Sequence, residues 1–151
     1  MNPAIRIYSL ELAQRALALV RPIVEDLVEA RSRWDAAIED LVFPAGGEWR
    51  DPLDPGLAEL SRLHDEIDGY RWELEELGLQ VLDDRFGEVG FPARLEGRLV
   101  LLSWRLGEEE IRGWRPLLLS QGEKGPWYPL SSSPACKAWV QEDWGGPPEP
   151  F

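Results

Sequence analysis

The chain has 151 residues, 44% of them hydrophobic, which suits one domain with a packed core. Its formal net charge is -12, with 28 acidic residues against 16 Lys and Arg, and this excludes a nucleic-acid backbone as the expected partner, because phosphate contacts need clustered basic side chains. A lone cysteine, Cys136, excludes an internal disulfide framework and a thiolate metal cluster.

Residues 1–10 hold no basic segment followed by an apolar run, so no secretory leader is expected. No stretch approaches the roughly 20 apolar residues that a membrane helix needs. The expectation is a soluble cytoplasmic protein with neither membrane nor nucleic acid as partner.

Ser9 can cap a helix that starts at Leu10, with Glu11 near the positive end of its dipole. Ala13, Val20, Leu27, Trp34 and Leu41 then recur every seven residues; Ala16, Ile23, Ala30 and Ala37 fill the second apolar position, and Leu17, Val24 and Ile38 widen the stripe. Pro22 removes one N–H and crowds the preceding turn, which predicts a kink. At about 1.5 Å per residue, residues 10–41 would span roughly 48 Å. Pro44, Gly46, Gly47 and Pro52 break the pattern over residues 43–52. Asp54-Pro55 then reads as N-cap and first helical residue. Leu60, Leu63, Ile67, Tyr70, Leu74 and Leu77 form a second stripe at three-and-four spacing, and Gly78 is a ready C-terminal cap. Residues 9–77 therefore predict a long antiparallel helical hairpin. Two helices cannot bury both stripes alone, so a sheet or a second subunit is expected to cover the remainder.

After Gly78 the period changes. Residues 99–106, between Gly97 and Gly107, suit a strand. Alternation puts Val100, Leu102, Trp104 and Leu106 on a core face, and Leu99, Leu101, Ser103 and Arg105 on a face partly exposed at its polar end. Residues 88–94 predict a partner strand joined through a tight Glu96-Gly97 turn. Pro92 cannot donate to a ladder, so that strand is expected at an edge or with a bulge. Residues 79–82 and 111–115 are shorter strand candidates. The expected architecture is α+β: a helical hairpin, first helix kinked at Pro22, followed by a small antiparallel sheet of three or four strands over residues 79–117, in one domain of residues 1–130. Residues 131–151 read as a Ser/Pro/Gly-rich tail. Trp139 and Trp144 are costly to leave in water, so this tail is expected to dock on the domain or on a partner.

These residues resemble an uncharacterised prokaryotic family, domain of unknown function family 2203. The likeness covers about residues 5 to 130. It rests on Tyr8-Ser9-Leu10-Glu11, Leu77-Gly78-Leu79-Gln80-Val81, Phe91-Pro92-Ala93, Gly97-Arg98 and the run Leu102-Ser103-Trp104-Arg105-Leu106-Gly107-Glu108. The resemblance implies a helical hairpin with a small sheet and no established activity. The chain departs from the family pattern where Gly90 stands for an Asp, Ser103 for a Cys and Arg115 for the His of a Trp-His pair. Gln121-Gly122-Glu123-Lys124-Gly125 likewise replaces a Gly-Phe-x-Gly-Arg stretch. If the family's His, Cys and Asp form a metal or catalytic site, this member has lost it.

The single His64 has only Asp65 and Asp68 as near partners and is best accounted for as a boundary histidine. Asp83-Asp84 and Glu108-Glu109-Glu110 could bind a hard cation or do acid/base work, but none has the spacing of a recognised metal loop, and solvated turn acids are the better account. Trp104, Arg105, Glu108, Trp114 and Arg115 form the candidate ligand site: arginines beside tryptophans can grip an anionic or planar ligand by bidentate and cation–π contacts. The bland account is a salt-bridged sheet edge. No phosphate loop, dinucleotide fingerprint, nucleophile elbow or zinc motif occurs, so no cofactor or reaction is indicated. The leading expectation is a non-catalytic interaction module that forms a homo-oligomer, a dimer, or binds a protein partner through its hairpin. The alternative is a small-molecule or divalent-metal-binding domain, with or without enzymatic activity, whose pocket lies near Trp104, Glu108 and Trp114.

Overall fold

The structure, a computed structural model, describes residues 6–42, 55–117 and 124–132. The break over residues 43–52, the Asp54 cap, Gln121 to Glu123 and the tail tryptophans Trp139 and Trp144 lie outside the described residues.

Two helices come first, α1 (Leu10–Val42) and α2 (Pro55–Glu76). Ser9 caps α1 as its sequence position requires, its Oγ accepting the Leu12 N–H at 3.1 Å. The helix runs unbroken through Pro22. At the end of α2, Gly78 takes a φ of +89°. Its N–H donates to the Glu75 carbonyl at 2.9 Å, and the Leu79 N–H donates to the Leu74 carbonyl at 3.1 Å. This paired closure satisfies the last carbonyls of the helix. The Tyr8 hydroxyl then donates to the Leu77 carbonyl at 2.6 Å, fastening the entry of α1 to the exit of α2.

Five strands follow: β1 (Gln80–Asp83), β2 (Glu88–Leu95), β3 (Arg98–Arg105), β4 (Gly113–Pro116) and β5 (Tyr128–Pro129). They form one antiparallel sheet in sequential order. The β2–β3 hairpin turns on Glu96 and Gly97, with φ of +50° and +79°, the pair of left-handed residues that matches the twist of two-residue hairpins. The sheet has one strand more than expected, because two residues, Tyr128 and Pro129, are too few to leave a periodic signal. β2 also differs from its expected place. It is an interior strand rather than an edge; its register with β3 is unbroken from Glu88↔Arg105 to Leu95↔Arg98, and the irregularity in its pairing with β1 falls on β1, between Val81 and Asp83. Pro92 is tolerated because β1 pairs only as far as Gly90. Beyond that point the same side of β2 meets the chain before α1, where the Tyr8 N–H donates to the Pro92 carbonyl at 2.7 Å. No ladder bond is asked of the proline nitrogen.

Alternation sorts the strands into two faces. Val89, Phe91, Ala93, Val100, Leu102, Trp104 and Trp114 are buried on one of them, with the cross-strand pairs Val89↔Trp104, Phe91↔Leu102 and Leu102↔Trp114. The helices supply the rest of this core through Ala13, Leu17, Val20, Val24, Leu27 and Ala30 of α1, and Ile67 and Leu74 of α2. Three contacts show how α1 lies on the sheet. Gln14 Oε1 accepts the Ile111 N–H at 3.0 Å, and the Arg21 guanidinium stands 5.7 Å from the Trp104 ring centre. A Cβ at Gly87, where φ is +86°, would come within 2.9 Å of Val24 and 3.0 Å of Val28. Gly87 is thus required both by its backbone and by the approach of α1.

Candidate functional site

The second face of the sheet carries the polar chemistry. Glu88 at the start of β2, Ser103 on β3 and Arg115 on β4 point to it, and all three are buried, Glu88 to 1% exposure. Arg115 forks onto the Glu88 carboxylate, Nε to Oε2 at 2.5 Å and Nη2 to Oε1 at 3.3 Å. Ser103 Oγ donates to Oε2 at 2.7 Å. Lys124 Nζ donates to Oε1 at 3.3 Å, and Arg105 Nε stands 3.6 Å from the same oxygen. The remaining edge of Arg115 donates through Nη1 to the Gly125 carbonyl at 2.6 Å. Beside it the Trp127 ring lies where a Cβ on Gly113 would be, 2.1 Å from that position. Residues 124–127 are therefore held across this face by the ion pairs of Lys124 with Glu88 and Asp83, one carbonyl and one ring.

Burial alone would raise the Glu88 pKa. The Arg115 and Ser103 hydrogen bonds, with the charges of Arg115 and Lys124, reverse that and hold it below the ordinary carboxylate value. A carboxylate so placed stays ionised and has its oxygens engaged, so it is neither a proton donor nor a free base. What the arrangement can do is close the outer face: two buried charges that would each be costly alone are made tolerable by mutual and complete hydrogen bonding.

The five residues expected to form a ligand site fall on both faces. Trp104 and Trp114 are fully buried among the core residues. Trp104 Nε1 donates to the Glu108 carbonyl at 3.0 Å and Trp114 Nε1 to the Ser132 carbonyl at 3.2 Å. Arg105 and Arg115 are brought together on the outer face through Glu88. Glu108 closes the turn after β3, its Oε1 accepting the Arg105 N–H at 2.8 Å. Glu88 and Lys124 escaped the sequence reading. The signal for Glu88 was its place opposite Arg105 in the β2–β3 pairing, on the face that excludes Val89 and Phe91; Lys124 had none, since a loop residue's approach is set by the fold.

Of the turn acids, Glu109 and Glu110 are exposed as expected, while Asp83 and Asp84 differ from the expected solvated state. Asp84 is engaged by two helices, with Arg31 Nη1 on Oδ1 at 2.7 Å and Arg71 Nη1 on Oδ2 at 2.9 Å. Asp83 Oδ1 accepts the Arg85 and Phe86 N–H groups at 2.8 and 3.1 Å. Burial would raise the Asp83 pKa, but those backbone bonds and Lys124 bring it below its ordinary value. His64 lies on the exposed side of α2, 3.2 Å from Asp68 Oδ2. Among the described residues no group of three or more His, Cys, Asp or Glu could hold a metal ion, and no helix is long and apolar enough to cross a membrane.

Residues 6–120 match the family model described as Uncharacterized conserved protein (DUF2203). The chain belongs to this family. No curated protein and no solved structure matches it. Gly90, Ser103 and Arg115 all lie on the outer face. Gly90 pairs directly with Ser103, and Arg115 pairs with Leu101 two residues away on the same strand. A Cβ at Gly90 would sit 3.0 Å from the Leu101 Cβ, so glycine there lets the Leu101 side chain close over β2.

Proposed function

We propose that this DUF2203 protein is a non-catalytic interaction module whose helical hairpin receives a second copy of the chain. One observation carries the reading. Leu12 and Leu19 of α1 are 52% and 57% exposed, and with the half-buried Ala16 and Ile23 between and beyond them they form a stripe at spacing four, three, four, continuous with the buried face. Charge permits a like copy there despite the net -12, because the one acid along residues 10–23, Glu11, pairs with Arg15 at 2.8 Å, and Arg21 is the remaining charged residue of that stretch. Size is also suitable. The stripe from Leu12 to Ile23 runs about 17 Å along α1, enough for the apolar centre of an interface with a polar rim.

The alternative, a small-molecule pocket near Trp104, Glu108 and Trp114, is supported by a 370 Å³ cleft beside Arg21, Glu25, Leu106 and Glu108. Burial of both tryptophan rings removes the stacking surface it was to use. Sedimentation velocity over a hundredfold concentration range tests the leading reading. A mass that rises to twice the chain mass, and falls back in Leu12→Glu/Leu19→Glu, is the expected result. A monomer at every concentration, or association indifferent to the double substitution, overturns it.

A further inference from the structure

A second cluster of charge lies at the opposite side of the β1–β2 turn from Glu88. Five side chains alternate in sign there: Arg85 Nε approaches Asp35 Oδ2 at 3.5 Å, Arg31 Nε donates to Asp35 Oδ1 at 3.1 Å, and Arg31 and Arg71 share the two oxygens of Asp84 at 2.7 and 2.9 Å. The chain of charges begins and ends on a cation, so it is positive by one in a protein that is strongly negative overall. Its two terminal guanidiniums are the least used. Among the described residues Arg71 spends only Nη1 and Arg85 only Nε on a carboxylate, and each fork has five donor hydrogens. Both flank a cleft of 310 Å³, walled on its apolar side by Leu82 and Phe86. That volume is at the lower end for small-molecule sites. Phe86 is 70% exposed at the lip, the most exposed large apolar side chain among the described residues. The turn that presents it is rigid: Asp83 Oδ1 holds the N–H groups of Arg85 and Phe86, and Gly87 is pressed against α1.

We infer that this cleft binds a small phosphomonoester bearing a planar ring, its phosphoryl oxygens between the free edges of Arg71 and Arg85 and its ring on Phe86. The acids in the cleft do not oppose this, because Asp84 has both oxygens taken by arginines and Asp83 is turned to backbone N–H groups and Lys124. Asp84 holds the Arg71 guanidinium and Asp35 approaches that of Arg85 before the ligand arrives, which favours bidentate recognition. A plain structural clamp of the turn would need neither the uncommitted donor edges nor an aromatic ring facing water.

Calorimetric titration of the full chain at low ionic strength with phenyl phosphate, adenosine monophosphate and inorganic phosphate tests this. Saturable one-site binding of the two ring-bearing esters is expected, weakening with added salt. Loss of one charge-assisted fork in Arg85→Gln should weaken all three ligands about tenfold or more. Phe86→Ser should weaken the ring-bearing esters by about two- to tenfold and leave inorganic phosphate unchanged. Both residues are exposed, so these variants stay informative even if Arg71→Gln, which frees Asp84, fails to fold. Absence of saturable binding, binding indifferent to Arg85→Gln, or equal affinity for all three ligands overturns the inference. It does not depend on self-association, and a monomer that binds the esters would retain it.

Discussion

On the helix side of the sheet, Val89, Phe91, Trp104 and Trp114 are shut off from water by α1 and α2. On the other side, Glu88, Ser103 and Arg115 are shut off nearly as completely by one another and by residues 124–127. The same three strands build both faces from alternate residues. The first face is closed by apolar area, whose contribution is roughly proportional to what is buried and is spread over many side chains. The second is closed by a buried ion pair, which is held only while every partner is present. The difference shows that burial by itself says little about how a surface will respond to loss of one residue.

The sharpest test of the apolar face is Trp104→Ala. It removes one of the two fully buried tryptophans among the described residues and the bond from its Nε1 to the Glu108 carbonyl, and should cost about 3 to 5 kcal/mol, read as a drop in the urea midpoint. On the polar face, Glu88→Ala leaves Arg115 buried without its counter-charge and should cost about 3 kcal/mol or more. The comparison predicts that Glu88→Leu/Arg115→Leu regains much of this, since an apolar pair of similar volume avoids the desolvation of both charges. A double variant no more stable than Glu88→Ala would break the contrast between the faces. The pH dependence follows from the direction of the Glu88 shift. Its folded pKa lies below the ordinary value of 4.5, so its stabilisation is fully present above that value and is lost as pH falls through the folded pKa. The gap between wild type and Glu88→Gln should therefore narrow in acid and be flat near neutrality. The smallest effect is expected for Lys124→Ala: a half-exposed lysine at 3.3 Å from Oε1 should contribute under about 1 kcal/mol, and less at high salt.

The helices were legible because their signals are local. Ser9, the seven-residue recurrence from Ala13 to Leu27, and Gly78 each act within a turn or two of the chain, and the caps and buried face follow from them directly. The β2–β3 hairpin was legible for the same reason, since Glu96-Gly97 sets both the turn and the register. The place of β2 was less so. Pro92 correctly implied an open side, but that side is local and is occupied by Tyr8, more than eighty residues earlier.

The candidate sites were the least legible. Trp104 and Arg105 are neighbours in sequence but stand on opposite faces, so a list of chemically suitable residues within one strand joined groups that the pleat separates. The sequence by itself determined the two helices, their apolar faces, the central hairpin and the alternation of its strands, because propensity, capping and periodicity act over a few residues. Only the tertiary structure decided that Glu88 meets Arg115 and Lys124, and that Arg31, Arg71 and Arg85 gather around two aspartates. Those meetings join residues far apart in the chain, and charged side chains reveal their partners only when packing fixes the distances between them.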